Sequence, residues 1–208
     1  MPLTPPTLSL VGRSNTGKTT LMEKLIAELG RRGYRVGTIK HDVHGFELDH
    51  PGKDTWRHAR AGARAVAISS PGKAALIQLV DRERTIDEVT ALMAGVDLVM
   101  TEGYKRADKP KIEVTNAESG GELICGPHDR LLAVAAEDPA LVLAKMGSSL
   151  GLADVPASEP LSVPVFHRDD AAALCDFIEE HLLGMTTTAR SRNDGLVEGC
   201  GPRGGGFE

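Results

Sequence analysis

The chain has 208 residues, 41% of them hydrophobic and 25% charged, which suits one medium domain with a packed core and excludes global disorder. A net charge of -5 argues against a broadly cationic nucleic-acid or membrane-surface protein, and aromatic residues at 3% are too few for base-stacking platforms. Cys125, Cys175 and Cys200 have neither the density of a disulfide framework nor the spacing of a zinc site, and Met1-Pro2-Leu3-Thr4 opens neither a basic nor an apolar leader, so a cytoplasmic protein with no membrane segment is expected.

Short apolar runs alternate with longer amphipathic ones, the pattern of an α/β protein with a mostly parallel sheet and helices on both faces. Residues 8–11 read as the first strand. From Lys18 to Arg32, Leu21, Leu25 and Leu29 recur every four residues and give a helix one apolar face, with Gly33 suited to the left-handed position that ends it. Residues 35–40 form a second strand and lead into a polar stretch, 41–54. Asp54 is placed to cap a short helix running to Ala61 and closed by Gly62. Residues 65–68 and 74–80 are strand-like, and Thr85 with Glu88 has the spacing of a capping box. Residues 97–101 and 131–135 read as buried strands, 112–114 as a short one and 161–166 as the last, after which Asp169 or Asp170 caps a helix to about Leu183. Beyond Gly184 apolar periodicity stops. The expectation is a nucleotide-binding domain over 1–183 and a disordered tail over 184–208.

Gly12-Arg13-Ser14-Asn15-Thr16-Gly17-Lys18-Thr19 fits the phosphate-loop pattern G-x-x-x-x-G-K-[ST] at every fixed position, between a strand and a helix. The glycines let successive N–H groups turn toward an anion, and the helix N-terminus adds partial positive charge. Lys18 is placed to neutralise the outer phosphates and the Thr19 hydroxyl to ligate Mg²⁺. Such a site needs a carboxylate at the carboxyl end of a neighbouring strand. Asp97 begins its strand, about 13–16 Å from that end, and faces the wrong edge. Glu102 follows the strand directly, where it can hold a Mg²⁺-bound water or orient an attacking one, with the Gly103 N–H near the γ-phosphate.

The stretch His41 to Asp54 is rich in potential ligands and has three readings: substrate or phosphate contacts, a solvated loop, or a transition-metal site. His128, His167 and His181 read as residues of the surface or of the shell behind a site, not as ligands. The guanine-reading pattern N-K-x-D does not occur. Asp138, after the strand ending at 135, is positioned to bridge two guanine donors, and Asp169 is a competing position; each serves equally as a helix cap.

The phosphate loop, Arg35-Val36-Gly37-Thr38-Ile39-Lys40-His41, Asp49-His50-Pro51-Gly52-Lys53-Asp54-Thr55, Arg60-Ala61-Gly62-Ala63, the block from Asp97 to Lys105 and Pro110-Lys111-Ile112-Glu113-Val114 together resemble the molybdopterin-guanine dinucleotide biosynthesis protein B (MobB) family over about residues 7–183. The resemblance implies a P-loop NTPase-like three-layer fold and a homodimeric GTP-binding protein with weak GTPase activity. It implies assistance to the guanylyltransferase that attaches GMP to molybdopterin, with molybdopterin itself a further candidate ligand. On that basis Gly12, Arg13, Ser14, Asn15, Thr16, Gly17, Lys18, Thr19 and Thr20 bind GTP, Thr19 and Glu102 serve Mg²⁺, and His41, Asp49 and Asp54 line the loop near the phosphates. Asp42 and Val43 separate His41 from His44, where the family often has adjacent histidines. Lys18, Glu102 and Arg13 are the catalytic candidates, Arg13 acting in its own chain or across a dimer; no catalytic Gln presents itself, which fits slow turnover. Two rivals remain: a small-molecule kinase with Arg82 and Arg84 on its lid, and a nickel or zinc metallochaperone GTPase using His41 and His44.

Overall fold

Every residue of the strand Thr7–Val11 (β1) is buried, the mark of a strand covered on both faces. The computed structural model describes residues 4–42, 44–126, 128–147 and 163–184. β1 lies near the middle of a six-stranded sheet with Val36–Lys40 (β2), Leu98–Glu102 (β5), Lys111–Thr115 (β6), Leu131–Ala136 (β7) and Val165–His167 (β8), in the spatial order β2-β5-β1-β6-β7-β8. Every pairing in it is parallel.

Alternate side chains on these strands go to opposite faces. Leu8, Leu10, Leu98, Met100, Ile112 and Val114 pack with Leu21, Leu25 and Leu29 of the helix Lys18–Arg31 (α1) and with Leu174 and Ile178 of Ala171–Ile178 (α5). Val11, Val134 and Ala136 pack with Val142 of Pro139–Gly147 (α4), and Val99 with Ile39 and with Ile86 of Ile86–Thr90 (α3). The result is three layers, as the alternating pattern implies. No helix among the described residues is long and apolar enough to cross a membrane.

Several local expectations hold in atomic detail. Gly33 takes φ 86 directly after the C-cap of α1. Both bonds of the capping box form, Glu88 N–H to Thr85 Oγ1 at 3.2 Å and Thr85 N–H to Glu88 Oε2 at 2.8 Å. Asp170, not Asp169, caps α5 by accepting the Ala173 N–H. The helix Asp54–Arg60 (α2) starts one residue earlier than its acid suggests: Lys53 occupies the N-cap and Asp54 stands in the first turn, 3.6 Å from Arg57. Glu102 closes β5 instead of following it, because its backbone still pairs with Lys40 and Leu10.

Ala65–Ser70 (β3) and Lys73–Gln78 (β4) form an antiparallel hairpin of their own outside the main sheet, leaving Ile68, Leu76 and Leu79 exposed. α4, over a run in which apolar residues crowd all sides, was signalled only by Asp138 as a possible helix cap, without bounds. The last strand, Val165–His167, overlaps the expected 161–166 only at 165–166 and runs one residue past it; 161 and 162 lie outside the described residues, as does the tail 185–208.

Candidate functional site

The connection from β1 to α1 is built on left-handed turns. Gly12, Asn15 and Gly17 have φ of 148, 62 and 93. A Cβ on Gly12 would lie 2.3 Å from the Val114 carbonyl oxygen, so only glycine lets the loop pass this close to β6. Thr16 Oγ1 donates to the Arg13 carbonyl and braces the turn from inside, nearly excluded from solvent. No side chain caps α1, which leaves the N–H donors of its first turn to solvent or an anion.

A cavity of about 500 Å³ opens over this loop, lined by Ser14, Asn15, Lys18, Thr19, Thr20 and Glu102 among others. Thr19 Oγ1 sits 3.0 Å and 3.1 Å from the two carboxylate oxygens of Glu102. A hydroxyl at a helix N-terminus and a carboxylate at the end of the adjacent strand therefore already face one another, the donor pair a hard, oxygen-seeking cation takes. Lys18 Nζ donates to the Gly12 and Arg13 carbonyls. Burial lowers its pKa below the ordinary lysine value, and the Glu102 charge opposes that shift.

The other expected residues divide. The Arg13 guanidinium pairs with Glu122 at 3.3 Å, on the loop after β6. His41 follows β2, its Nε2 lying 2.6 Å from Glu83 while its ring stacks on Tyr104 at 4.4 Å. Gly103 takes φ 100 and passes so close to His41 that a Cβ would meet that residue's Cβ at 3.2 Å. The Gly103 N–H, expected to reach a phosphate, donates instead to the Leu10 carbonyl at 3.2 Å as the sheet ladder runs out. Asp49 accepts from the His50 N–H and the Thr55 hydroxyl and shapes the entry to α2. Asp138 accepts the Leu141 N–H at 3.1 Å, the bond of a cap for α4. None of His41, Asp49, Asp54, Gly103 and Asp138 lines the phosphate cavity. Among the described residues no three His, Cys, Asp or Glu side chains converge as a metal site.

Two neighbours of the loop went unrecognised. Arg168 Nη1 donates to the Thr16 carbonyl at 3.3 Å and Nη2 to Glu137 at 2.7 Å, and Asn116 Nδ2 reaches the Asn15 carbonyl at 3.4 Å. Arg168 and Asp169 directly follow β8, at the same carboxyl edge of the parallel sheet as the phosphate loop. A polar pair placed just after the carboxyl end of a parallel strand is the signal that marks them. With Asn15, Gly17, Thr20, Leu21 and Lys24 they line a second cavity of about 220 Å³ that shares residues with the first. Lys24 Nζ lies 2.6 Å from Asp169 Oδ1, and this bond holds the Asp169 carboxyl below its ordinary range.

Comparison with known proteins supplies the context. The family model for molybdopterin guanine dinucleotide synthesis protein B (MobB) matches residues 7–137. A molybdopterin-guanine dinucleotide biosynthesis adapter protein of Escherichia coli is 35% identical over 182 residues, covering 84% of this chain and 92% of that one. One from Haemophilus influenzae is 38% identical over 109 residues, covering 51% of this chain and 61% of its relative, so this match spans less than two thirds of that protein. The crystal structure of Bacillus subtilis MobB superposes with a TM-score of 0.62 at 26% identity, over 85% of this chain and 98% of that chain. By its family-model match, its identity to these relatives and its fold, this chain belongs to the MobB family.

Proposed function

We propose that the chain binds Mg·GTP and acts as an accessory protein in molybdopterin guanine dinucleotide formation, serving a partner guanylyltransferase and hydrolysing GTP slowly. The observation that carries nucleotide binding is the Thr19–Glu102 contact at 3.0 Å beside Lys18, at the mouth of an uncapped helix. These residues fit a metal-bound triphosphate: Lys18 and the loop N–H groups take its charge, and Thr19 and Glu102 are the Mg²⁺ ligands or hold its waters. The adapter role follows the E. coli and H. influenzae relatives, whose names describe it.

Slow hydrolysis fits what surrounds the loop. Arg13, the loop's own arginine and the candidate for stabilising transition-state charge, is paired with Glu122 and must leave it to act. Glu102 is the residue in place to orient a water. In this reading the protein works in the cytoplasm as a homodimer, and molybdopterin is a further candidate ligand.

Calorimetric titration with Mg·GTP and Mg·ATP tests the reading. GTP should bind at least about tenfold more tightly, roughly 1.4 kcal/mol, and Lys18→Ala should abolish binding of either. Equal or better ATP binding would overturn the guanine-dependent role and bring forward a kinase.

A further inference from the structure

We propose that the Lys24–Asp169 ion pair is the element that reads the guanine base, an inference that rests on the GTP reading above. The cavity containing this pair shares Asn15, Gly17 and Thr20 with the phosphate cavity, so the two form one continuous trough across the start of α1. A nucleotide with its phosphates on the loop has its sugar and base leave over these shared residues into the smaller cavity. That cavity lies outside the carboxyl ends of the strands, where ligands of open parallel sheets bind.

Two of its lining residues, Lys24 and Asp169, together have the chemistry of one base edge. Lys24 Nζ is a donor, and it lies 2.6 Å from one of the two acceptor oxygens of Asp169. The pair thus presents donor, acceptor, acceptor. Guanine presents the complement along O6, N1–H and N2–H₂, namely acceptor, donor, donor. Adenine presents a donor amino group to the lysine and an N1 lone pair to the carboxylate, which leaves charged groups unsatisfied and rejects the base. The Asp169 carboxylate is kept ionised by Lys24, as an acceptor of two hydrogen bonds must be. Arg168, held between the Thr16 carbonyl and Glu137, gives the trough a fixed planar cation against which a purine ring can lie. Asp138, the other candidate reader, caps α4 and lines neither cavity.

The experiment is calorimetric titration of wild type and Asp169→Asn with Mg·GTP and Mg·XTP. Xanthine replaces the guanine amino donor with a carbonyl acceptor, and asparagine replaces one carboxylate acceptor with an amide donor. Asp169→Asn should lose at least about tenfold in GTP affinity and gain at least about tenfold for XTP. Any other result overturns the assignment, including unchanged GTP binding or a loss without gain for XTP. If wild type binds GTP normally while Asp169→Asn shows no exchange, the base reader lies elsewhere and the GTP reading survives. Wild type that binds no GTP overturns both.

Discussion

Lys18 sits partly buried against the carbonyls of Gly12 and Arg13, and the desolvation that lowers its pKa makes its charged form costly to the folded chain. The folded pKa lies below the unfolded value of 10.5, so between the two the unfolded chain holds more protons and stability rises with pH. Lys18→Met removes that cost together with the cation proposed to hold the triphosphate. Its apo form should melt at or above wild type, and wild type should gain more stability than the variant between pH 8 and pH 10 in urea melts. Glu102→Gln separates metal from phosphate: GTP binding in chelator should persist while the increment added by Mg²⁺ disappears, as titration with and without the cation will show. Burial also pushes the Cys125 and Cys175 thiols up to about 12. At pH 8 about one such thiol in 10⁴ is ionised, so a Cys200→Ser chain should react with a thiol reagent only once denaturant opens the core.

Between elements, Arg32 ties the end of α1 to α5. Its guanidinium donates to Glu28, to Asp176 and Glu179 at 2.6 Å and 2.7 Å, and to the Ala172 carbonyl at 3.0 Å. Arg32→Ala should lower stability by about 1–2 kcal/mol, or roughly 2–8 °C, the sum of several partly shielded pairs. Nucleotide affinity should stay at wild type, because α1 spans about 20 Å between this tie and the phosphate loop. A urea melt beside a GTP titration checks both. Elements whose signals are contiguous were legible in the sequence: the phosphate loop, the leucine stripe of α1, the Thr85–Glu88 box. The hairpin's separateness was not, since strand character says nothing of partners, although Pro71-Gly72 between β3 and β4 is a turn signal that could have exposed it. The extent of α4 was not read, beyond Asp138 as its possible cap, because a short run apolar on all sides has no helical period to detect. Asp54 misled by one residue because an acid in the first turn of a helix and an acid at its cap look alike in sequence.

For the molecule as a whole, a ligand that binds only the folded chain stabilises it by mass action. At a hundred times its Kd, Mg·GTP should add about 2.7 kcal/mol, shifting the melting midpoint by roughly 5–10 °C. The Lys18→Ala chain should show no shift, and thermal scans across nucleotide concentrations will show whether this holds. The site was half legible for a reason of the same scale. Its phosphate end is written in eight consecutive residues and Glu102 is legible as the acid after a buried strand, whereas Arg168 reaches it only because parallel pairing gathers the carboxyl ends of distant strands.

That gathering has a consequence for how the protein is made. β1 ends at residue 11, yet its sheet neighbours begin at residues 98 and 111, so the nearer of them is 87 positions later. At roughly 5–20 residues per second of synthesis, the apolar strand carrying the phosphate loop waits on the order of 5–20 s without either neighbour. Through that interval Leu8, Leu10 and Val11, all buried in the finished sheet, stay exposed as apolar surface that a chaperone can hold.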